Sequence, residues 1–315
     1  MIRSWASGAW ENVMPKSMEI KIATAPVSWG VVMKDTPNVP PYSQVLDEMR
    51  EAGYTGTELG PYGYLPQDKN QLHDELDSRG LHLLSAYVQV NFIDPHTQFE
   101  VYKEALTTVR LLSEMDCKLV TLSDSLFASN LRAERAGKVR PEDGLDGAGW
   151  SSFVKNVNEF AKMCDQDLGL KSAFHPHVGG WIETAEEVDR LMSETDATYV
   201  GMCPDTAHTV YGGHDPVKLI SRWPDRIRQL HIKECDKAVL AEVLARDGDY
   251  FDGVTSNVFP ELGKGSVDFQ AFHKTLTEID FSGWAVIEQD ILPDSGINAL
   301  ESARYNLEFL KNAGW

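Results

Sequence analysis

The feature that most constrains the fold of this chain is a regular alternation of short β-rich runs with amphipathic helical stretches, which begins near Lys21. Such alternation is typical of parallel α/β proteins rather than of β-sandwiches or helical bundles. Eight strands are predicted, over residues 20–27, 56–59, 82–88, 119–122, 171–175, 199–202, 227–232 and 284–288. Because eight strands with intervening helices can close into a barrel, the sequence predicts an α/β fold of the (β/α)8 TIM-barrel type.

The predicted helices carry apolar residues at three-and-four spacing, as in Ala105, Val109 and Leu112, so that each can bury one stripe against the sheet. Two helix starts are marked by capping residues, Thr184 and Asp215. The chain has 315 residues, of which 42% are hydrophobic, and this is enough for one large core. We therefore expect a single catalytic barrel over residues 20–315, preceded by an N-terminal extension over residues 1–19.

The balance of charge disfavours several classes of partner. Lys and Arg number 29 against 48 Asp and Glu, which gives a net charge of −19. Because this charge repels phosphate backbones and anionic lipid surfaces, we expect neither nucleic acid nor membranes as partners. We find no apolar run with the length of a signal peptide or a membrane span, and the four cysteines show no CxxC spacing. These features favour a cytoplasmic protein with reduced thiols, and they leave a homo-oligomer open.

Residues that commonly bind metals follow four consecutive predicted strands, the fifth to the eighth. These residues are His175, Asp205, His231 and Glu288. The carboxyl ends of barrel strands meet at one face, so residues far apart in sequence can converge there. Two imidazoles and two carboxylates form a mixed nitrogen and oxygen site, which suits Mn²⁺ or Co²⁺, with Fe²⁺, Zn²⁺ or Mg²⁺ as alternatives, rather than Ca²⁺. The pattern predicts one divalent metal ion bound by these four residues.

Each of these residues also has an ordinary explanation when it is taken alone. Asp205 stands where a turn or helix-capping residue would stand, and a lone histidine is often a satisfied buried group. A carboxylate such as Glu288, which follows an apolar run, would be costly to bury without a partner. His177 shares a strand face with His175, so these two histidines could exchange roles. Otherwise His177 and His208 are expected beside the metal or against substrate.

Other strand ends offer weaker candidates for substrate binding. Trp29 and Tyr64 could form apolar walls for a sugar ring, although plain packing under a loop explains them equally well. Asp124 ends the fourth predicted strand, and Glu58 ends the second, where it could bind a hydroxyl group or act as a base. The chain has no GxSxG elbow and no glycine-rich phosphate or dinucleotide motif, so acyl transfer and hydride transfer lack support.

Two connections, over residues 127–149 and 238–265, are longer than a packing loop requires. Both follow a strand, so both belong to the catalytic face of the barrel. We predict that the second connection closes over the metal site as a lid, with Phe251, Phe259 and the segment that begins at Glu261 nearest the substrate. Glu261 is the expected substrate-binding residue of that segment. A surface excursion or a subunit contact is the alternative interpretation.

Several short motifs lie at or near the predicted strand ends. They are Ala25-Pro-Val-Ser-Trp29-Gly, Gly53-Tyr-Thr-Gly-Thr-Glu58-Leu-Gly, Phe174-His-Pro-His177, Asp205-Thr-Ala-His208, His231-Ile-Lys233, Gly263-Lys-Gly265-Ser-Val-Asp268-Phe and Val286-Ile-Glu288. Together, from about Ile20 to Leu310, they resemble the xylose isomerase-like barrels, a superfamily that includes sugar epimerases, hydroxypyruvate isomerase, endonuclease IV and inosose dehydratase. The histidine-rich end of the fifth strand resembles the inosose dehydratase branch, which implies a role in carbohydrate metabolism and inositol catabolism.

In the epimerases that this chain resembles, a glutamate stands at the position of His175 and forms an acid/base pair with the residue at the position of Glu288. That pair is missing here, so proton exchange on two faces of one carbon is less favoured. The resemblance implies a metal-dependent hydro-lyase, which enolises a cyclic keto-polyol such as an inosose or a 3-keto sugar and eliminates a β-hydroxyl group. His177, Lys233 and Glu58 are the candidates for the catalytic proton transfers, and their order is left open.

Two other functions remain compatible with the sequence. A ketose isomerase or epimerase of the same superfamily is the first, and a catalytically silent sugar-binding barrel that partners a dehydrogenase is the second. In each case the ligand is a small-molecule keto-polyol or sugar. Endonuclease activity would require further metal ligands and a basic groove, and the net charge of −19 argues against it.

Overall fold

The computed structural model describes residues 19–124 and 129–315. The predicted extension over residues 1–19 therefore lies almost wholly outside the described residues, as do Phe127 and Ala128 of the first long connection. Within the described ranges, no helix has the length and apolar content that crossing a membrane requires.

The described strands form a closed parallel barrel. They are β1 Ile20–Thr24, β2 Gly56–Glu58, β3 in two segments, His82–Ser85 and Tyr87–Val90, β4 Leu119–Asp124, β5 Lys171–Phe174, β6 Val200–Met202, β7 Leu230–Ile232 and β8 Gly283–Ile287. Hydrogen bonds join them in the order β7-β8-β1-β2-β3 and, from the second segment of β3, in the order β3-β4-β5-β6. Isolated parallel bridges, Met202 with Ile227 and Asp205 with His231, connect β6 to β7 and complete the circle. The predicted TIM-barrel fold is confirmed.

Helices follow the strands as the alternation predicts. In the described ranges they are α1 Tyr42–Ala52, α2 Lys69–Asp77, α3 Phe99–Glu114, α4 Asn130–Glu134, α5 Gly147–Leu168, α6 Ala185–Glu194, α7 Thr206–Tyr211, α8 Pro216–Arg222, α9 Lys237–Ala245, α10 Tyr250–Thr255, α11 Phe269–Glu278 and α12 Ala299–Asn312. The predicted stripe of Ala105, Val109 and Leu112 is buried in α3. Thr184 caps α6 in a reciprocal capping box, and the Asp215 side chain caps α8, so both predicted helix starts are confirmed.

Side-chain alternation separates the helix layer from the interior of the barrel. On β7, Leu230 and Ile232 belong to the main apolar core, whereas His231 lies between them on the opposite face. On β8, Val286 belongs to a separate small cluster with Ala23, and the next residue on the same face is Glu288. The inner face of the barrel therefore changes from apolar to polar toward the carboxyl ends of its strands.

The described strands differ from the predicted limits at several ends; β7, for example, begins at Leu230 rather than at residue 227. β1 ends at Thr24 rather than at residue 27, because Pro26 lacks the N–H that a strand ladder uses and begins a 3₁₀ turn over Pro26–Trp29. The two long connections are not irregular. The first contains α4 and a 3₁₀ turn over Pro141–Asp143, and the second contains α9 and α10.

An arginine side chain supports the narrow junction between β6 and β7. Arg226 donates from Nε to the Val200 carbonyl at 3.0 Å and from Nη2 to Thr195 Oγ1 at 2.8 Å, and it also donates to the Met192 carbonyl. The junction contains isolated backbone bridges rather than a long ladder of backbone hydrogen bonds. The side-chain hydrogen bonds of Arg226 therefore help to hold β6 and β7 together, as backbone hydrogen bonds do between the other strands.

Replacing Arg226 with methionine should lower the free energy of unfolding by about 3 kcal/mol, because buried carbonyl groups lose a charged donor. Urea unfolding at neutral pH would measure this loss. The matched control is Arg222→Met, which removes an exposed guanidinium whose Nε lies 2.6 Å from Asp189 Oδ1. That exposed pair should contribute less than about 1 kcal/mol. Equal losses in the two variants would contradict a special role for Arg226 at the junction.

Candidate active site

The four predicted metal ligands converge at the carboxyl ends of β5 to β8, and we call them the strand-end cluster: His175, Asp205, His231 and Glu288. The distance from His175 Nε2 to Asp205 Oδ2 is 3.6 Å, and that from His231 Nδ1 to Glu288 Oε2 is 3.2 Å. One ligand atom each from His175, Asp205 and His231 lies within 4.8 Å of the others. The same holds for Glu58, His231 and Glu288. His231 therefore links two groups of potential ligands.

Asp205 combines the two roles that its sequence position suggested. Its Oδ1 accepts hydrogen bonds from the backbone N–H groups of Ala207 at 2.7 Å and His208 at 2.9 Å, and so caps α7. Its Oδ2 is buried and has no hydrogen-bond partner among the described residues. Because the cap fixes the carboxylate through one oxygen, the other oxygen is held toward the strand-end cluster. Burial would raise the pKa of Asp205, but the charge of Lys233 outweighs burial and lowers it well below its usual range.

Several buried atoms of the strand-end cluster lack hydrogen-bond partners within the described ranges. They are both ring nitrogens of His175, Oδ2 of Asp205 and Nδ1 of His231. Buried polar atoms without partners are costly, and they are rare unless an ion or ordered water satisfies them. Here three different side chains direct such atoms toward one another. Two imidazoles and two carboxylates are also the donor types that a divalent transition metal accepts, so the residues present fit the predicted ion.

Lys233 lies beside the strand-end cluster and faces three carboxylates. Its Nζ is 2.8 Å from Asp290 Oδ1, 3.0 Å from Glu288 Oε2 and 3.5 Å from Asp205 Oδ2. Burial would lower the pKa of Lys233, but the three negative charges outweigh burial and raise it well above the usual value. The side chain is therefore a fixed cation at neutral pH. Asp290, which the sequence analysis did not single out, belongs to the same charged group.

Two further histidines line this group of charges. The ring centroids of His177 and His208 are 3.7 Å apart. His177 Nδ1 lies 2.7 Å from the Val178 carbonyl oxygen, and His208 Nε2 lies 3.3 Å from Lys233 Nζ. Burial, together with the charges of His175 and Lys233, lowers the pKa of His177 to about 3. Burial and the neighbouring His177 likewise hold the pKa of His208 well below its usual range, so both rings are neutral.

The structure places four other predicted site residues away from the strand-end cluster. Trp29 is buried, and its indole N–H donates to Glu48 of α1 at 2.7 Å. The Tyr64 hydroxyl donates to the Pro40 carbonyl at 2.8 Å. Both contacts are hydrogen bonds to neighbouring parts of the chain, which is compatible with the alternative interpretation that these aromatic residues pack under loops. The substrate-binding role of these two residues is not supported by their position, and it stays an untested prediction.

Asp124 and Glu261 hold loops in place. Asp124 Oδ2 accepts from the Trp181 backbone N–H at 2.6 Å, which ties β4 to the segment after β5. Glu261 Oε2 is 3.2 Å from Lys264 Nζ, and its Oε1 accepts from Ser302 Oγ at 3.2 Å. The Asp124 contact joins β4 to a loop, and the Glu261 contacts join a loop to itself and to α12. Neither carboxylate makes its contact with the strand-end cluster. Direct contact of these two carboxylates with substrate also stays an untested prediction.

The second long connection covers the strand-end cluster through a residue that the sequence did not single out. The Tyr250 hydroxyl donates to Asp290 Oδ2 at 2.5 Å, and its ring centroid lies 5.3 Å from that of His177. Phe259 was predicted to lie near substrate, and its ring centroid is 5.8 Å from that of His208. Phe251 was predicted there too; this residue is 39% exposed, and its nearness to substrate stays a prediction. Phe251 follows Tyr250 on α10, and consecutive residues of a helix point in different directions.

Residues 46–313 match the family model described as a xylose isomerase-like TIM barrel, and the chain belongs to this family. One of its relatives is an inosose dehydratase of Geobacillus kaustophilus, 34% identical over 86% of this chain and 87% of the relative. Another is the rhizopine catabolism protein MocC of Rhizobium meliloti, 34% identical over 88% of this chain and 83% of its own length. Among solved structures, the IolI protein with a bound zinc atom has a TM-score of 0.68 at 16% identity and covers 93% of this chain and 98% of that one. The family resemblance of the motifs is confirmed.

The Asp205→Asn variant should lose bound metal and keep its fold, because the amide oxygen can still cap α7 while the charged ligand oxygen is gone. Asp215→Asn is the matched control, since Asp215 caps α8 through the same kind of contacts, with Val217 N–H at 2.9 Å. Elemental analysis after incubation with Mn²⁺ or Co²⁺ would measure metal content, and thermal melting would check the fold. Full metal retention by Asp205→Asn would remove Asp205 from the ligand set.

Proposed function

We propose that this chain is a metal-dependent hydro-lyase of the inosose dehydratase type, which enolises a cyclic keto-polyol and eliminates a β-hydroxyl group as water. The inosose dehydratase of Geobacillus kaustophilus, which is 34% identical over 86% of this chain, supports this class of reaction. The structural observation that carries the proposal is a mixed nitrogen and oxygen donor set with a neutral imidazole beside it, where a two-carboxylate acid/base pair would favour epimerisation.

We assign the metal to His175, Asp205, His231 and Glu288; the partnerless buried atoms of the first three support this set, and Glu288 Oε2 lies 3.2 Å from His231 Nδ1. The IolI structure, which shares this fold, contains a zinc atom, which supports a divalent ion, and the donor types here suit Mn²⁺ or Co²⁺. When bound, such an ion supplies Lewis acidity that stabilises the negative charge developing on the substrate carbonyl oxygen. The remaining steps belong to the side chains around it.

We assign proton acceptance to His177, whose ring is neutral; its pKa of about 3 means that the ring, once protonated, readily returns the proton to the departing hydroxyl group. A carbonyl oxygen can only accept, so the 2.7 Å contact with the Val178 carbonyl holds the proton of the neutral ring on Nδ1. The lone pair is then on Nε2, which can take a proton from the carbon beside the ketone. The same proton is available to the departing hydroxyl group, which leaves as water, so the protons balance over the reaction.

Lys233 is better suited to hold charge than to transfer protons. Its three carboxylate neighbours raise its pKa well above the usual value, and a group that keeps its proton so firmly is a poor acid near neutral pH. A fixed ammonium group in a buried site stabilises developing negative charge without rearranging at the moment of reaction. We therefore assign electrostatic stabilisation to Lys233 and proton transfer to His177.

The connection over residues 238–265 acts as a lid over the strand-end cluster in this proposal. The cluster is almost inaccessible, since Glu288 is 8% exposed and His175 is 1% exposed. Two side chains of this connection contact residues beside the cluster. The Tyr250 hydroxyl donates to Asp290, and the Phe259 ring packs near His208. Excluding water protects an enolate-like intermediate and strengthens the electrostatic contacts around it.

The His177→Gln variant should lower kcat by about 10²- to 10⁴-fold at unchanged metal content, because glutamine fills similar space but cannot accept a proton. Incubation with 2-keto-myo-inositol and Mn²⁺ would test this, since elimination creates a conjugated product that absorbs in the ultraviolet. His214→Gln is the matched control, because His214 Nε2 also lies 2.7 Å from a backbone carbonyl, that of Glu183, away from the strand-end cluster.

The same assay separates the proposed reaction from the alternative. An unchanged ultraviolet spectrum, together with solvent deuterium in recovered ketose, would replace the hydro-lyase with an isomerase or epimerase. Absence of both signals with each keto-polyol and ketose tried would favour a silent sugar-binding barrel.

Tyr250→Phe should lower kcat about 10-fold or more while metal content stays constant, because the lid loses a hydrogen bond to a charged group. Phe251→Ala is the neighbouring control, and it should change kcat little because that side chain is 39% exposed on the same helix. Steady-state kinetics and light scattering would be measured for both variants. An unchanged kcat in Tyr250→Phe, with an altered oligomeric state in either variant, would make this connection a subunit contact instead of a lid.

A further inference from the structure

His231 is contacted on both of its ring nitrogens by carboxylates from different strands. Nδ1 lies 3.2 Å from Glu288 Oε2, and Nε2 lies 3.3 Å from Glu58 Oε1. The two contacts differ in kind. Within the described residues, Nδ1 has no hydrogen-bond partner. Nε2 lies 3.3 Å from both Glu58 Oε1 and Gln229 Nε2, and because the two amide protons of Gln229 are donated to Glu58 and Thr121, Nε2 donates its own proton to Glu58. The ring therefore has one nitrogen committed to Glu58 and one nitrogen available on the side of the strand-end cluster.

Glu58 is itself held by neutral side chains of the barrel interior. Its Oε1 accepts from Ser85 Oγ at 2.6 Å and from Gln229 Nε2 at 2.6 Å. Thr121 Oγ1, which lies 3.2 Å from Gln229 Nε2, completes this layer. These contacts come from β3, β4 and the residue before β7, so the carboxylate is fixed by three separate parts of the barrel.

The position of Glu58 differs from that expected of a group that acts on substrate. Glu58 is 1% exposed, and its polar contacts in the described structure are with interior side chains and His231. His231 stands between Glu58 and Glu288.

We infer that Glu58 is a positioning residue for the metal site, which accepts the Nε2 proton of His231 and thereby directs the Nδ1 lone pair of that ring at the metal. This inference rests on the metal site proposed above. A carboxylate that accepts from the second nitrogen of a histidine ligand fixes its tautomer and orientation and increases its basicity. Ser85 and Gln229 hold the carboxylate in place for this purpose. In this role Glu58 would affect how tightly the protein binds its metal, and it would not take part in the catalytic proton transfer that the sequence suggested.

Three roles of Glu58 make different predictions for Glu58→Gln. A positioning residue predicts a metal affinity about 10- to 100-fold weaker, as is common when such a carboxylate is removed, with most of the turnover restored at saturating metal. A proton-transfer residue predicts unchanged affinity and turnover that saturating metal does not restore. A direct ligand predicts a change in coordination number, which would alter the intensity of the visible Co²⁺ spectrum.

The experiment measures Mn²⁺ and Co²⁺ affinity by chelator competition, the Co²⁺ absorption spectrum and turnover at increasing metal. The matched control is Glu183→Gln, because Glu183 is another buried carboxylate, 3% exposed, which accepts from the backbone N–H groups of Gly137 and Gly179 at 2.8 and 2.7 Å. Its metal affinity should equal that of the unaltered chain. Glu58→Asp, which restores the charge on a shorter side chain, should recover part of the lost affinity.

Ser85→Ala is the second variant, and it decides the question if Glu58→Gln fails to fold. It removes one donor to Glu58 and leaves the carboxylate present, so it should weaken metal affinity by several fold without changing the Co²⁺ spectrum. Unaltered affinity in Glu58→Gln, or in Ser85→Ala where that variant decides, overturns the inference and leaves the metal site standing. If the unaltered chain binds neither Mn²⁺ nor Co²⁺, the proposed metal site fails and this inference fails with it.

Discussion

The arrangement of this site depends on a balance of buried charge. Asp205, Glu288 and Asp290 are removed from water within a few ångströms of one another, and Lys233 contacts all three. Buried like charges repel strongly, and they are tolerated only where an opposite charge and fixed hydrogen bonds compensate for the lost hydration. The closed barrel provides the rigid frame that this balance requires, because Asp205 follows β6, Lys233 follows β7 and the other two carboxylates follow β8. A bound divalent cation would join Lys233 in the same compensation, which is why the metal site and the ammonium group are found together.

Every second side chain along β7 points into the barrel, so the site is built in successive layers along this strand. Gln229, His231 and Lys233 share the inner face of the barrel, one level above another. Gln229 contacts Glu58, His231 joins Glu58 to Glu288, and Lys233 joins Glu288 to Asp290. Tyr250 extends this series to the covering connection through Asp290. A continuous series of polar contacts thus runs from the barrel interior to the lid, and a change at one level alters the positions available to the next.

The sequence predicted the elements of the site that the barrel itself positions. His175, Asp205, His231 and Glu288 were identified because the ends of parallel strands must meet, and the periodicity that located the strands also located these ends. Residues whose positions depend on tertiary packing were not accessible in this way. The direction of the Trp29 indole depends on the packing of α1, and the choice between Tyr250 and Phe251 depends on the rotation of a short helix inside a loop. The position of Glu58 on the Nε2 side of His231, away from the Nδ1 side that faces Glu288, likewise depends on the orientation of that ring, which no sequence pattern specifies.

The near-complete burial of the site has a consequence for how it works. Lys233 is 2% exposed and Tyr250 is 7% exposed, and in the lid proposed above the covering connection would move to admit a substrate. The contact that such a movement breaks is the hydrogen bond from Tyr250 to Asp290, and Asp290 is also a partner of Lys233. Opening therefore leaves Asp290 with an unused acceptor oxygen beside the cation, at the place where the hydroxyl groups of an entering substrate need partners. We expect substrate binding and lid closure to be coupled through Asp290. A substrate hydroxyl group and the Tyr250 hydroxyl group would both use the Oδ2 atom of this carboxylate.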